Sequence, residues 1–165
     1  MINKTRTPKV STSPLENTRV PVQVKLAAAW TSFMFLYIYV DYLHLYKPGS
    51  IDDILGGIVH EFHTGPTFVA LALTLMAIPI LMILLSTTMP GRGSRSANLV
   101  VATLYIPVSI YNVAGEESWS YSYFYGFSIG LEVLLLAFIL RTAWTWPRRT
   151  ASPATLAAGR DSVRR

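Results

Sequence analysis

Four long apolar segments alternate with short polar ones along this chain, and this pattern predicts four membrane-spanning helices. Each segment is close to the ~20 residues that an α-helix needs to cross the hydrocarbon of a bilayer. Proline, glycine and charged residues interrupt the apolar pattern between them, as expected for connecting loops. The predicted spans are residues 24–46, 66–89, 97–114 and 119–141.

The segment between the first two spans has a different pattern. From Ile51 to Phe62 the apolar residues recur at the three- and four-residue spacing of one helix face, and the segment is too short to span. Asp52 and Asp53 suit the first turn of a helix. We therefore predict an amphipathic helix over residues 51–63 that lies in the membrane interface. The predicted fold is an all-α integral membrane four-helix bundle with this short helix between spans 1 and 2.

Basic tails flank this single domain. We predict that residues 1–22 and 147–165 are disordered and cytoplasmic, and that residues 23–146 form the four-span transmembrane domain. All but one of the 14 Lys and Arg residues lie in the tails, in the loop between spans 2 and 3, or beside the span ends that face them. Only Lys47 lies on the other side. The positive-inside rule then places both termini in the cytoplasm.

Composition agrees with a membrane protein and excludes several kinds of site. Hydrophobic residues make up 52% of the chain and charged residues 14%, against about 25% charged in an ordinary soluble domain. Because the chain has no cysteine, it has no disulfide, no thiolate metal site and no cysteine nucleophile. The basic residues flank apolar spans, which predicts anionic lipid, and not nucleic acid, as the partner of the cytoplasmic tails.

Glu132 is the most informative residue because it lies near the middle of the fourth predicted span. A charge at the bilayer centre costs ~2.5–3.5 kcal/mol on insertion scales, and no Lys or Arg of the spans lies at a matching depth. We expect a protonated carboxyl that donates a hydrogen bond, unless a water-filled cavity reaches it. Either it serves a proton or a ligand, or it makes a structural bond between helices, to Tyr37, Thr74, Tyr105 or Ser109.

Polar residues form stripes at helical spacing on three of the spans, toward the predicted outer half of the membrane. We expect these stripes to converge on an outward-facing polar cavity that holds a small ligand or forms a proton pathway, with Glu132 at its floor. Asp41 and His44 would form its rim, or else pair with each other at a solvated interface. The stripes are Tyr37–Asp41–His44, Tyr105–Ser109–Asn112–Glu116 and Tyr121–Tyr125–Ser128–Glu132.

Two other functions fit the sequence. Ser122, Gly126 and Gly130 form a small-residue face suited to close helix packing, as in a non-catalytic subunit or scaffold that forms a homo-oligomer or binds a membrane partner. His60 and His63, with Glu61 and with or without Glu116, could hold a divalent metal in a membrane enzyme, although their spacing differs from His-Glu-x-x-His. The chain has no nucleophile elbow and no Gly-rich phosphate loop, which disfavours catalysis, and we expect no cofactor.

Several segments of the chain resemble a known family. The first is Val24-Lys-Leu-x-x-x-Trp30, and it is followed by Phe35-Leu-Tyr-Ile-Tyr-x-Asp41-Tyr. These segments are similar to the opening of a family of small bacterial four-span membrane proteins catalogued only as a domain of unknown function. The resemblance implies a multi-pass protein of the bacterial plasma membrane and supplies no activity or site residue. It covers residues 20–147 and continues at 46–49, 65–67, 77–79, 126–132 and 144–147.

Overall fold

A computed structural model describes residues 19–59, 62–114 and 121–147 of the chain. These residues form five α-helices and one short antiparallel hairpin, so the all-α class is confirmed. The predictions for the tails beyond them lie outside the described residues. In chain order the elements are α1 (Val22–His44), α2 (Ser50–Leu55), β1 (Ile58–Val59), β2 (Phe62–His63), α3 (Pro66–Thr88), α4 (Gly91–Ala114) and α5 (Ser122–Trp144).

Three of the helices are long and apolar enough to cross a membrane, namely α1, α3 and α5. The mean hydropathy of their best segments is 1.3, 2.8 and 1.9. Helix α4 has a similar length, 24 residues, but its first two turns contain Arg92, Arg95 and Asn98, which lower its hydropathy. Within the described residues, three of the predicted spans therefore have the length and hydropathy that a bilayer requires.

The bounds of the long helices agree with the predicted spans to within three residues, with one exception. Helix α4 begins at Gly91, so most of the predicted loop between spans 2 and 3 is helical. Pro90 directly precedes the helix, where its missing N–H leaves no donor unpaired, and its carbonyl accepts from the Ser94 backbone N–H at 2.9 Å. The turn between α3 and α4 is therefore shorter than the polar composition indicated.

The connection between α1 and α3 is not the single helix predicted over residues 51–63. Helix α2 ends at Leu55, and Gly56 and Gly57 follow it. Gly57 has a φ of 78°, a left-handed conformation that glycine adopts without a steric penalty and that ends the helix. Strands β1 and β2 then pair antiparallel. The apolar residues keep their helical spacing beyond the glycines, but the backbone there is not helical, so the prediction was wrong beyond Leu55.

The four long helices enclose a common core. Helix α1 packs against α3 and α5, and α4 packs against α5 and α3. The core positions of α1 recur at the spacing of one helix face, and Leu26, Trp30 and Phe33 are fully buried. Leu136 and Ile139 of α5 are buried against them. Since the outer ends of the same faces carry polar residues, the helices bring polar side chains into the interior.

Pro79 interrupts the hydrogen bonding of α3. Because proline has no N–H, the carbonyl of Leu75, one turn earlier, loses its helical donor. The Tyr105 hydroxyl of α4 donates a hydrogen bond to this carbonyl. A membrane helix tolerates proline where a neighbour satisfies the freed carbonyl, and here α4 supplies the donor.

Replacing Tyr105 with phenylalanine should therefore destabilise the fold. The substitution keeps the ring but leaves the Leu75 carbonyl without a partner, at a cost of ~1–3 kcal/mol. The matched control is Tyr111→Phe on the same helix, whose side chain is 64% exposed. Reversible unfolding of the two variants in detergent would measure the difference. Equal stability of both variants would mean that the Tyr105 hydroxyl does not support the interrupted helix.

Candidate functional site

The end of the helices that carries Lys25, Arg92, Arg95 and Arg141 is their basic end. A group of polar side chains, the outer polar cluster, lies between the helices in the opposite half. Helices α1, α4 and α5 all contribute to it. Its members are buried, except for the half-buried His44 and the exposed Asp41. The outer polar cluster consists of Tyr37, Asp41, His44, Tyr105, Ser109, Tyr125, Ser128 and Glu132.

The helical repeat of α5 carries its polar residues into this interior. Tyr125, Ser128 and Glu132 are spaced three and four residues apart, so they share one face. The same face continues as the apolar stripe of Leu136 and Ile139, which packs in the core. The burial of that stripe fixes the rotation of α5, and the rotation in turn directs Glu132 into the interior between the helices.

Glu132 is 5% exposed and lies ten residues after the first residue of α5, or ~15 Å along the helix. The Ser109 hydroxyl and the Asp41 carboxylate are side-chain groups of the neighbouring helices close enough to influence it. Ser109 nevertheless does not close a hydrogen bond with it, because Ser109 Oγ and Glu132 Oε2 are both buried without a partner. Buried polar atoms are almost always paired, so these two facing oxygens are the main anomaly of the site.

His44, the last residue of α1, connects α2 to α5. Its Nδ1 is 2.5 Å from the Tyr125 hydroxyl oxygen, and its Nε2 is 3.3 Å from the Ser50 Oγ. A neutral imidazole has one N–H donor and one acceptor nitrogen, so the tautomer decides which partner donates. The three side chains form a line of hydrogen bonds from α2 into the interior.

The contact between His44 and Tyr125 also sets the relative height of α1 and α5, which run in opposite directions. Both helices rise ~1.5 Å per residue, so Tyr37 and Glu132, each seven residues further in, reach the same level. Ser128 lies between Tyr125 and Glu132, but its hydroxyl donates to the Phe124 carbonyl at 2.7 Å. In this structure the Ser128 hydroxyl proton is therefore directed to the backbone of its own helix and not to Glu132.

A second polar group, the inner polar network, lies at the basic end and was not predicted. The side-chain oxygen of Asn98 accepts from the Trp30 indole N–H at 2.7 Å and from the Ser86 hydroxyl at 3.3 Å. Its amide nitrogen donates to the Ser94 carbonyl at 2.8 Å. All four residues are fully buried and satisfied, so the network joins α1, α3 and α4 as a structural clamp.

Aromatic side chains separate the two polar groups. The ring of Tyr105 packs edge-on against Trp30 and Phe33, with centroids 6.2 and 5.8 Å apart, and Phe33 lies 5.8 Å from Tyr37. A hollow between these rings and Pro79 of α3 is apolar and has no room for a water molecule. The outer polar cluster is therefore closed toward the basic end in this structure.

Two other predicted site residues lie at helix ends. Tyr121 is half-buried, and the Lys47 ammonium lies 5.7 Å from the centroid of its ring. Asn112 lies in the last turn of α4. Glu116 lies outside the described residues. Two hollows stand out in the described part of the chain, both lined mainly by apolar residues, and neither includes Glu132.

The predicted metal ligands and helix-packing face take different places. His60 and Glu61 lie outside the described residues, and His63 is exposed on β2. Among the residues that are described, no three His, Asp or Glu side chains are grouped so as to hold a metal ion. Ser122, Gly126 and Gly130 are exposed, and a Cβ at either glycine would meet nothing within 4 Å. At its two glycines the small-residue face is thus not packed against another described helix of the chain.

The most useful signals that sequence reasoning missed were Asn98 and Ser50. A single asparagine near the start of an apolar segment is a candidate for hydrogen bonding between membrane helices. Ser50 was recognisable as a cap for α2, but its contact with His44 depends on the path of the loop.

Comparison with known proteins gives one family. Residues 18–152 match the family model DUF6326, which is described as a family of unknown function. The matched residues include every helix described above. No curated protein and no solved structure matches the chain.

Proposed function

The chain belongs to the DUF6326 family, and because a family of unknown function supplies no activity, we propose one from the geometry of the chain itself. We propose an integral membrane protein in which Glu132 takes up and releases protons that reach it from the outer end of the helices. The observation that carries this proposal is the buried Glu132 Oε2, which has no hydrogen-bond partner although Ser109 faces it. A purely structural carboxyl would be expected to close that bond. An ionisable side chain inside a membrane helix is by default a functional candidate.

The proposal includes a membrane arrangement with four spans. Helix α4 packs against α3 and α5 along the same core, and its residues 97–114 are mostly apolar, which supports a fourth crossing. The distribution of Lys and Arg favours cytoplasmic termini, with Lys47 outside. In this arrangement the outer polar cluster lies on the exterior side of the membrane. The family resemblance favours the bacterial plasma membrane as that membrane.

The segment between α1 and α3 is proposed to lie in the outer interface of the bilayer. Ile51 and Leu55 of α2 are 56% and 81% exposed, and Phe62 of β2 is 48% exposed. Asp52 and Asp53 are exposed beside them. An element with exposed apolar and acidic side chains suits the boundary between acyl chains and water. The interfacial element of this proposal is therefore a short helix followed by a hairpin.

The route begins at the line from Ser50 through His44 to Tyr125. An imidazole can accept a proton on one nitrogen while it releases the other, so His44 passes one proton inward and is restored to its neutral form. Tyr125 likewise takes one proton as it gives up another. The Asp41 carboxylate at the rim attracts cations, protons included, to this end of the helices.

The final step crosses two turns of α5, or ~10 Å, between Tyr125 and Glu132. Ser128 lies between them, and its hydroxyl can rotate away from the Phe124 carbonyl to relay the proton, while water molecules that enter between the helices cover the rest of the distance. Glu132 Oε2 then accepts the proton, and it releases the proton toward the basic end in a second arrangement in which the aromatic packing beside the site opens. The tight aromatic packing beside the site favours this small cargo over the bound ligand that the sequence left open.

Vesicles that contain the purified chain test this function. With a pH-sensitive dye trapped inside and an imposed pH gradient, proton entry should be faster than in vesicles without protein. A valinomycin-clamped membrane potential separates proton movement from other ion currents. Proton entry at the rate of empty vesicles, in both orientations of the gradient, would rule the proposal out.

A second function, a membrane subunit or scaffold, is favoured by the unoccupied face at Gly126 and Gly130. Small residues at this spacing allow two helices to approach closely. Because the chain has no cysteine, a single cysteine at Gly126 reports on this face alone. The scaffold predicts efficient cross-linking of two copies, or of a copy and a partner, at this position. Leu104 of α4 is 61% exposed and provides the control position, which should not cross-link.

A further inference from the structure

A groove on the outside of α1 and α5 lies at the end of the molecule opposite to the outer polar cluster. It has a volume of about 430 Å³ and is open along its length. Small residues of α1 form its floor, and larger apolar residues of α5 form its wall. The lining includes Ala28, Ala29 and Ser32 on α1, Leu135 and Phe138 on α5, and Lys25 at the end nearest the helix start.

The groove exists because small and large side chains are arranged asymmetrically. Ala28, Ala29 and Ser32 share one face of α1 and leave space beside the helix, whereas Phe138 extends from α5 along the same space. Apart from Lys25 and Ser32 this surface is apolar. It lies on two helices that each have the length and hydropathy of a membrane span, so acyl chains are the surrounding medium.

Lys25 gives this groove a charge. Its side chain is exposed, and the first turn of α1 contains no acidic residue. It lies three residues after the start of α1, which is the depth of the lipid head groups for a helix that begins at the membrane surface. Ser32, at the other end, lies seven residues further, or ~10 Å toward the bilayer centre. The cation is thus at head-group level and the apolar floor is at acyl-chain level.

We propose that this groove, between α1 and α5, binds an anionic phospholipid of the bilayer, with one acyl chain along Ala28 and Ser32 and the head-group phosphate at Lys25. The apolar floor supplies contact for the chain, and the single cation supplies the preference for a negative head group. This site is independent of Glu132 and of proton transfer.

A second copy of the chain fits the groove less well than a lipid. A symmetric dimer brings the same patch of both copies together, so two Lys25 side chains would approach each other at the interface. Like charges at a desolvated contact oppose association. A lipid phosphate instead neutralises Lys25, and this charge complementarity is the reason to assign the groove to a lipid.

A fluorescent label inside the groove tests the proposal. Since the chain has no cysteine, Ser32→Cys can carry a single bimane label. The protein is reconstituted in phosphatidylcholine vesicles that contain a minor fraction of acyl-brominated phosphatidylglycerol, or the same fraction of brominated phosphatidylcholine. We expect the brominated anionic lipid to quench the label with an apparent affinity about fivefold higher, the preference that one lysine near a charged membrane surface provides.

Three further variants separate this site from a general attraction of anionic lipid to the basic tails. Lys25→Gln should reduce the preference to about onefold, and Lys25→Arg should retain it. Ala28→Leu should reduce quenching by both lipids because its side chain fills the groove. A label at Ile78, ten residues from the end of α3 as Ser32 is ten from the start of α1, should show no preference.

The proposal is overturned by several results. Equal quenching by the two brominated lipids at position 32 would reduce the groove to ordinary lipid contact. A preference of the same size at position 78, or one that persists in Lys25→Gln, would assign the effect to the tails. Loss of quenching together with cross-linking at position 32 as the protein density rises would assign the groove to a second copy.

Discussion

Glu132→Gln should reduce proton entry into vesicles to the rate of protein-free vesicles. The amide has nearly the shape of the carboxyl, so the substitution keeps the packing of α5 against α1 and α4. An amide neither takes up nor releases a proton at physiological pH, so Oε2 can no longer act as the proton acceptor. The rate of change of the internal pH dye, compared between wild type and variant at equal protein content, gives the result.

The same variant should keep or raise the stability of the fold. Glutamine is neutral at every relevant pH, so its burial carries no charge penalty, and its amide can donate to the unpartnered Ser109 oxygen. Reversible unfolding in detergent measures this. A stable variant without proton entry assigns Glu132 to function, whereas a variant with unchanged proton entry would refute its role as the proton site.

Asp41→Asn is the matched control at the outer end. Asp41 is exposed, and our proposal gives it an electrostatic role and not a place in the hydrogen-bonded line. Its loss should slow proton entry by a modest factor that disappears at high salt, because salt screens an exposed charge. A loss as complete as that of Glu132→Gln, at any ionic strength, would move the essential carboxylate from Glu132 to Asp41.

The three apolar helices could be predicted because their signal is local. A run of apolar residues has to be ~20 residues long to cross a bilayer, and this length is visible without any knowledge of neighbours. The bounds of α1, α3 and α5 accordingly differ from the predicted spans by no more than three residues. Helix α4 was predicted over its apolar part only, since its N-terminal turns are polar and are stabilised by contacts with α3.

The helix over residues 51–63 shows where periodicity alone is insufficient. The spacing of apolar residues describes which side chains share a face if the backbone is helical, but not whether the backbone stays helical. Two consecutive glycines favour a change of direction, and Gly57 adopts a left-handed conformation that ends α2. Consecutive glycines in the sequence are therefore a stronger indication of a helix end than the apolar spacing is of its continuation.

The burial of Glu132 could be anticipated, whereas its surroundings could not. Its depth in α5 follows from the distance to the helix ends, and the interior face follows from the polar stripe. The Ser109 contact depends on the rotation of α4 relative to α5, which many side chains set together. The face at Gly126 and Gly130 could be recognised from the sequence, but its partner could not. Small residues show that another helix can approach closely and do not show which helix does so.

Replacing Asn98 with leucine should cause the largest loss of stability among single substitutions in the described interior. Leucine has the same number of side-chain heavy atoms and the same branching at Cγ as asparagine, so it replaces the amide with apolar groups at little change of shape. It removes the acceptor of the Trp30 indole N–H and a partner of Ser86. Leaving buried donors unpaired costs ~1–3 kcal/mol per group, and we expect about 2–3 kcal/mol in total because some groups find other partners. Reversible unfolding in mild detergent micelles, by titration with a denaturing detergent, measures this loss.

A double-mutant cycle shows whether the bond between helices is the cause. Trp30→Phe removes the indole N–H, so Asn98→Leu should cost less in that background, by about 1 kcal/mol. Ser96→Ala, an exposed serine two residues before Asn98, is the control and should be neutral. Fully additive losses would show that Asn98 acts through packing and not through this bond. Because the aromatic rings separate Asn98 from Glu132, vesicles with correctly folded Asn98→Leu should still take up protons. Asn98→Leu should therefore lower stability and keep proton entry, whereas Glu132→Gln should keep stability and abolish proton entry.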